Sequence, residues 1–200
     1  MAWRDGCGMG WPEIMRELEE KLRGTLEGRY RPRDGVPFFR VQYPPAEERE
    51  ALRRFRELAQ HVQRWGHPVY LIRMTEVLRE AMARLIGCGE KDLPERLVGL
   101  EKTLSRRELR QRLAEHLPRR CTEVLVGRLR DADRRSVAVL ARTGALYPFV
   151  RPSTLLSGLE GRIRCAVVLA YPTGTIGSFL DAEPAGGQGG YYRGETIRWR

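Results

Sequence analysis

Two hundred residues with an apolar share of 42% suffice for a sizeable core and point to one domain, with two small ones possible, not a disordered or fibrous chain; the alternation of elements along the chain makes it a single α/β domain. The formal net charge of +10 comes almost wholly from arginine, since Lys21, Lys91 and Lys102 are the only lysines. No apolar run approaches the roughly 20 residues that span a bilayer, and the first ten residues hold no signal-type segment, so a cytoplasmic chain with no membrane partner is expected.

Residues 1–35 form an N-terminal helical segment. Gly6-x-Gly8-x-Gly10 invites a phosphate-loop reading, but no strand precedes it and the spacing does not fit a dinucleotide fingerprint. From Pro12 to Leu26, the residues Ile14, Met15, Leu18, Leu22 and Leu26 recur at helical spacing. Val36 to Tyr43 reads as the first strand and Pro44-Pro45 ends it. Glu47 and Glu48 then sit in the first turn of a helix, where carboxylates complement the dipole. Leu52, Phe55, Leu58, Ala59, Val62 and Trp65 form its apolar stripe, and Gly66-His67-Pro68 stops it. Val69 to Arg73 is a second strand, and Thr75 is placed to cap a helix over 76–86 that Gly87 and Gly89 end. Helices and strands that alternate with short connections predict a mostly parallel sheet of about four to five strands covered by helices.

Residues 90–132 read as an all-helical insertion. Leu93 to Leu100 and Leu104 to Leu117 are helical, with a capping box from Ser105 to Glu108 at the start of the second. Pro118 is expected to close that helix, and Thr122 to Leu129 to form another. This stretch is rich in arginine, and Arg106, Arg107, Arg110, Arg119 and Arg120 are candidate nucleic-acid-binding residues. The competing expectation is a solvated helical cap.

Residues 133–200 supply the central and C-terminal part of the sheet. Val137 to Ala141 and Cys165 to Tyr171 are apolar runs bounded by turns, as inner strands of a parallel sheet require. Pro152-Ser153 starts a short helix, with the Ser153 side chain placed to cap it, whose apolar face is Leu155, Leu156 and Leu159. The loop from Thr143 to Arg151 leaves the carboxyl end of the first of these strands, where open α/β sheets bind ligands. Residues 173–190 are turn-rich and glycine-rich, and Ile197 and Trp199 alternate like a final edge strand.

No catalytic pattern emerges. Cys7, Cys88, Cys121 and Cys165 form no C-x-x-C, and His61, His67 and His116 are not at ligand spacing with them, so no metal or cofactor is expected. The chain has no Gly-Lys pair for a phosphate loop and no G-x-S-x-G elbow. Asp131 and Asp133 lie among Arg130, Arg134 and Arg135, which favours local salt links over metal chemistry. Glu47, Glu48 and Glu50 precede Arg53, Arg54 and Arg56 at pairing distance along a helix. Two aromatic-plus-arginine groups remain. Tyr147, Phe149 and Arg151, with Tyr191, Tyr192 and Arg193, are candidate partner-binding anchors; the alternative is that the aromatics plug the end of the sheet.

Tyr43-Pro44-Pro45 with Glu47 or Glu48, Gly144-Ala-Leu-Tyr147-Pro148-Phe-Val-Arg151, Leu155-Leu156, Val168-Leu-Ala-Tyr171-Pro172 and Tyr191-Tyr192-Arg193 occur in that order. Together they resemble the BrxB family of the BREX bacteriophage-exclusion systems, over roughly Pro37 to the C-terminus. One departure is visible: Arg142-Thr143 stands where a glycine-containing turn is expected directly after the strand. The resemblance implies a cytoplasmic antiviral-defence protein in an assembly with a PglZ-like protein of the alkaline-phosphatase superfamily, an ATPase and a methyltransferase. It implies no enzymatic activity. The reading is a non-catalytic adaptor, with a DNA-binding module and a degenerate nucleotide-binding protein as alternatives.

Overall fold

A computed structural model describes residues 10–32, 35–173 and 194–199. Five strands, β1 (Phe38–Tyr43), β2 (Val69–Arg73), β3 (Val137–Ala141), β4 (Ala166–Pro172) and β5 (Glu195–Ile197), form one sheet in the order β2-β3-β4-β1-β5. Every neighbouring pair is parallel. The two apolar runs of the central unit become β3 and β4, and all of their residues are buried. Burial on both faces is why these strands do not alternate apolar with polar.

Side-chain alternation sorts the core into two halves. Phe39, Val41 and Tyr43 of β1, Val137 and Val139 of β3, and Val168 and Ala170 of β4 share one face with helices α1 (Trp11–Leu26) and α2 (Glu48–Arg64). Phe38, Ala138, Leu140, Val167, Leu169 and Tyr171 point the other way, against α3 (Met74–Ile86), α5 (Arg106–Arg128) and α6 (Pro152–Leu159). The register aligns Val139 with Val168 and Val41 with Ala170, so residues of one parity meet one helical layer. The result is an α/β fold with a helical layer on each face.

The helices follow their apolar stripes. In α1, Ile14, Leu18 and Leu22 are buried, and Trp11 joins them at the N-terminal end. In α2 the buried set is Ala51, Phe55, Leu58, Ala59 and Val62, while Leu52 and Trp65 are only half buried. Helix α4 (Leu93–Thr103) buries Leu93 alone. The second half of α5 behaves differently, because Leu117, Cys121, Val124 and Leu125 belong to the core under α3 and α6.

Three local expectations are corrected. Thr75 does not cap α3: β2 runs straight into the helix, and Arg73 holds the cap position in extended conformation. Ser153 does not cap α6; Arg151 stands at that position with Pro152 as the first helical residue. Pro118 does not close the helix begun at Ser105, and α5 continues through it for 23 residues in all. Proline removes one backbone donor, but the buried residues on both sides of Pro118 hold the axis on course. Ser105 caps α5 as expected, accepting from the Glu108 amide at 3.2 Å while Glu108 accepts from the Ser105 amide at 2.9 Å. Gly87 ends α3 in the left-handed conformation.

Candidate functional site

The carboxyl ends of β1, β3 and β4 meet around Tyr43. Its ring is fully buried, and its hydroxyl donates to Glu48 at 2.7 Å. Beside it the Trp11 indole donates to Glu47 at 3.0 Å. Glu47 and Glu48 thus serve buried aromatics instead of pairing with the arginines of α2. Those arginines use Glu50 and Glu57: Arg54 lies 2.8 Å from Glu50, and Arg53 lies 2.6 Å from Glu57. Burial and the neighbouring Glu48 carboxylate push the Tyr43 phenol up, with Arg142 pulling weakly against them. Trp11 packs edge-on to Trp199 with ring centroids 5.4 Å apart, which ties the segment after β5 to α1. A compact aromatic cluster therefore underlies this end of the sheet.

Above the cluster the chain leaves β3 through Arg142, whose φ of 60° lies in the left-handed region. That conformation costs an ordinary residue about 1 kcal/mol, which is why a glycine is expected after the strand. Arg142 is exposed. The next residue anchors the turn: Thr143 is fully buried and its hydroxyl donates to the Ala170 carbonyl of β4. A 3-10 turn over Thr143–Leu146 follows, then a cis Tyr147–Pro148 peptide. The Phe149 and Val150 amides both donate to the Leu146 carbonyl, at 2.9 Å and 2.8 Å.

On this loop Tyr147 is 53% exposed, whereas Val150 is buried and Phe149 is half buried against the core. Arg151 is exposed at the start of α6. The loop thus separates two roles by residue: Phe149 and Val150 seat it, while Tyr147, Arg142 and Arg151 face outward. Arg142 was not singled out by composition or spacing; the displaced glycine was the one sign of it. Tyr191, Tyr192 and Arg193 lie outside the described residues.

The five arginines of α5 do not form one patch. All are exposed, but Arg119 and Arg120 both bind Glu123, at 3.0 Å and 2.9 Å. Arg106, Arg107 and Arg110 occupy the first turns of the helix and have no ion pair among the described residues. Thirteen residues of helix separate Arg106 from Arg119, about 20 Å along the axis.

Several other titratable groups are locally engaged. Asp131 pairs with Arg130 at 3.3 Å, and Asp133 accepts from Ser136 at 2.8 Å. His61 meets Glu19 at 2.8 Å, and the His67 ring donates to the Arg135 carbonyl at 2.9 Å. Cys121 and Cys165 are buried, which raises their thiols to about 12 and about 11. No group of three or more His, Cys, Asp or Glu that could hold a metal occurs among the described residues. No helix among them is long and apolar enough to cross a membrane.

A parallel sheet between two helical layers, presenting a hydrogen-bonded loop with one outward tyrosine and two outward arginines, defines an α/β domain with an exposed aromatic-and-arginine tip at the carboxyl end of its sheet. Among protein families, that of the BREX protein BrxB matches residues 72–197, from β2 through β5, and the chain belongs to this family. Membership makes it a component of a BREX phage-defence system. The match includes the whole tip loop but not β1 or Tyr43-Pro44-Pro45. No curated protein and no solved structure matches the chain.

Proposed function

We propose that this chain is a non-catalytic adaptor of a BREX complex that grips a larger partner with its carboxyl-end tip. The observation that carries the reading is Tyr147, half exposed on a loop whose neighbours Thr143, Phe149 and Val150 are held from below. An aromatic on a pre-ordered loop binds at low entropic cost, and arginines beside it are common anchors. Family membership supports a partner among other BREX components; the PglZ-like phosphatase-superfamily protein is the one proposed. The ATPase and methyltransferase of the system would then join through the assembly. A cytoplasmic location follows from that role.

The test is co-purification with the PglZ-like protein at low salt. Tyr147→Ala and Arg151→Ala are each expected to weaken capture by about ten- to a hundredfold, as truncating an interface anchor does. Equal capture by both variants and the parent chain sinks the adaptor reading. Arg106, Arg107 and Arg110, unpaired among the described residues, support DNA contact as a second reading. A duplex added to the same assay separates the two, since contact with phosphates weakens steeply as salt rises and a tyrosine anchor does not.

A further inference from the structure

A cavity of about 640 Å³ opens at the other end of the sheet, where the loops leading into β1, β3 and β4 come together. That size is ordinary for a small-molecule site. Its floor is apolar, formed by Val36, Phe38, Ile163 and Ala166. Around its rim stand Arg31 before β1, Arg134 before β3 and Arg164 before β4. All three side chains are exposed, and none makes an ion pair among the described residues. This sets them apart from Arg53, Arg54, Arg119, Arg120 and Arg128, each matched by a glutamate.

Glu160 is the one carboxylate among the described lining residues, so the three guanidiniums leave an excess of two positive charges. A phosphate monoester carries close to that charge with opposite sign, and its oxygens match the guanidinium fork. A simple carboxylate would leave the excess unbalanced. The rim is also open: Gly28, Gly35 and Gly161 turn it through positive φ, and nothing approaches within 4 Å of where their side chains would begin. The lining thiol, Cys165, is pushed up to about 11 by burial and stays protonated at neutral pH. The described lining residues thus offer arginines and apolar side chains to hold a ligand, and no histidine is among them.

We propose that this cavity binds a small organic phosphate of nucleotide size, with Arg31, Arg134 and Arg164 on the phosphate and the apolar floor under the organic body. Recognition rests on side-chain guanidiniums instead of the backbone cradle of a phosphate loop. The site also lies opposite the carboxyl-end crevice where α/β sheets usually take nucleotides. It is independent of the partner tip, and a partner need not be present to test it.

Adenosine 5′-monophosphate, adenosine and inorganic phosphate are the probes, titrated calorimetrically into the full chain at low salt. The monophosphate is expected to bind and to raise the melting temperature, because a ligand held by the native state stabilises it. Adenosine is expected to leave both readouts flat, and inorganic phosphate to compete with the monophosphate while binding more weakly. The double variant Arg134→Ala/Arg164→Ala should lose about ten- to a hundredfold in affinity. The exposed pair Arg56→Ala/Arg79→Ala removes the same charge elsewhere and should bind like the parent. If the cavity variant melts below the parent without ligand, Arg134→Gln/Arg164→Gln replaces it with the side-chain length nearly kept. Absence of monophosphate binding to the parent overturns the proposal. So do equal losses in the two alanine variants, or adenosine binding as tightly as its monophosphate.

Discussion

Gly194 is the point where β5 joins the sheet. Its φ is 105°, and a side chain there would collide with the carbonyl of Phe38 on β1. Only glycine accepts both the backbone angle and the close approach. Gly194→Ala is therefore expected to destabilise the fold by about 2 kcal/mol or more, read from the midpoint of urea unfolding. An unchanged midpoint would mean that β5 contributes nothing to stability. Tyr147 and Arg151 were visible in the sequence as an aromatic and a cation on a loop, but their exposure against the burial of Val150 was not. Glu47 and Glu48 looked like partners for arginines one turn ahead, and instead accept from Trp11 and Tyr43. A buried indole and phenol that require acceptors outrank exposed ion pairs, which are individually weak.

At the scale of elements, apolar periodicity located β2 and β3 to the residue and α1, α2 and α6 closely. The failures lay where a local rule met packing. Pro118 breaks an isolated helix, but between Leu113 and Leu125 it rides on a buried stripe that pins both halves of α5. Proline inside a helix still forfeits a hydrogen bond, so Pro118→Ala should stabilise the protein by about 1–3 kcal/mol in thermal or urea melts. A lower stability would show that the packing of Pro118 against its neighbours outweighs the lost hydrogen bond. Residues 90–132 hold helices and turns and no strand, as expected, yet only their first part stands as a cap. The second half of α5 is a wall of the core, and that role depends on α3 and α6, which pack against it.

At the scale of the whole molecule, charge sets the pH range of stability. Hydrogen bonds from Arg120 and Arg119 hold the Glu123 carboxyl below its ordinary value; Arg53 and Arg54 do the same for Glu50, and Ser105 for Glu108. A depressed carboxyl stabilises the fold above its unfolded value of 4.5 and ceases to do so as pH falls through the folded one. These groups are exposed, so the acid loss should be shallow and should shrink in salt. The alkaline side has the opposite origin. Burial first, then Glu48, raises the Tyr43 phenol, while Glu17 and Glu195 outweigh burial to raise Lys21. Their stabilisation is complete below the unfolded values of 10.0 and 10.5 and disappears as pH climbs towards the folded ones. Melting temperature should thus hold from neutrality to about pH 10 and then fall, with Tyr43→Phe flattening that alkaline limb. A limb of the same steepness in Tyr43→Phe would assign the loss elsewhere.

The order of apolar runs, turns and caps by itself determined an α/β chain with β3 and β4 inside a parallel sheet, because side-chain periodicity and burial are local consequences of composition. It also carried the motifs that place the chain in its family. Tertiary structure alone decided which strand neighbours which, with β1 inserted between β4 and β5, and which arginines are answered by a carboxylate. Those outcomes depend on groups distant in sequence meeting in space. Arg31, Arg134 and Arg164 are ordinary surface arginines along the chain, and share one cavity only because three strands begin side by side.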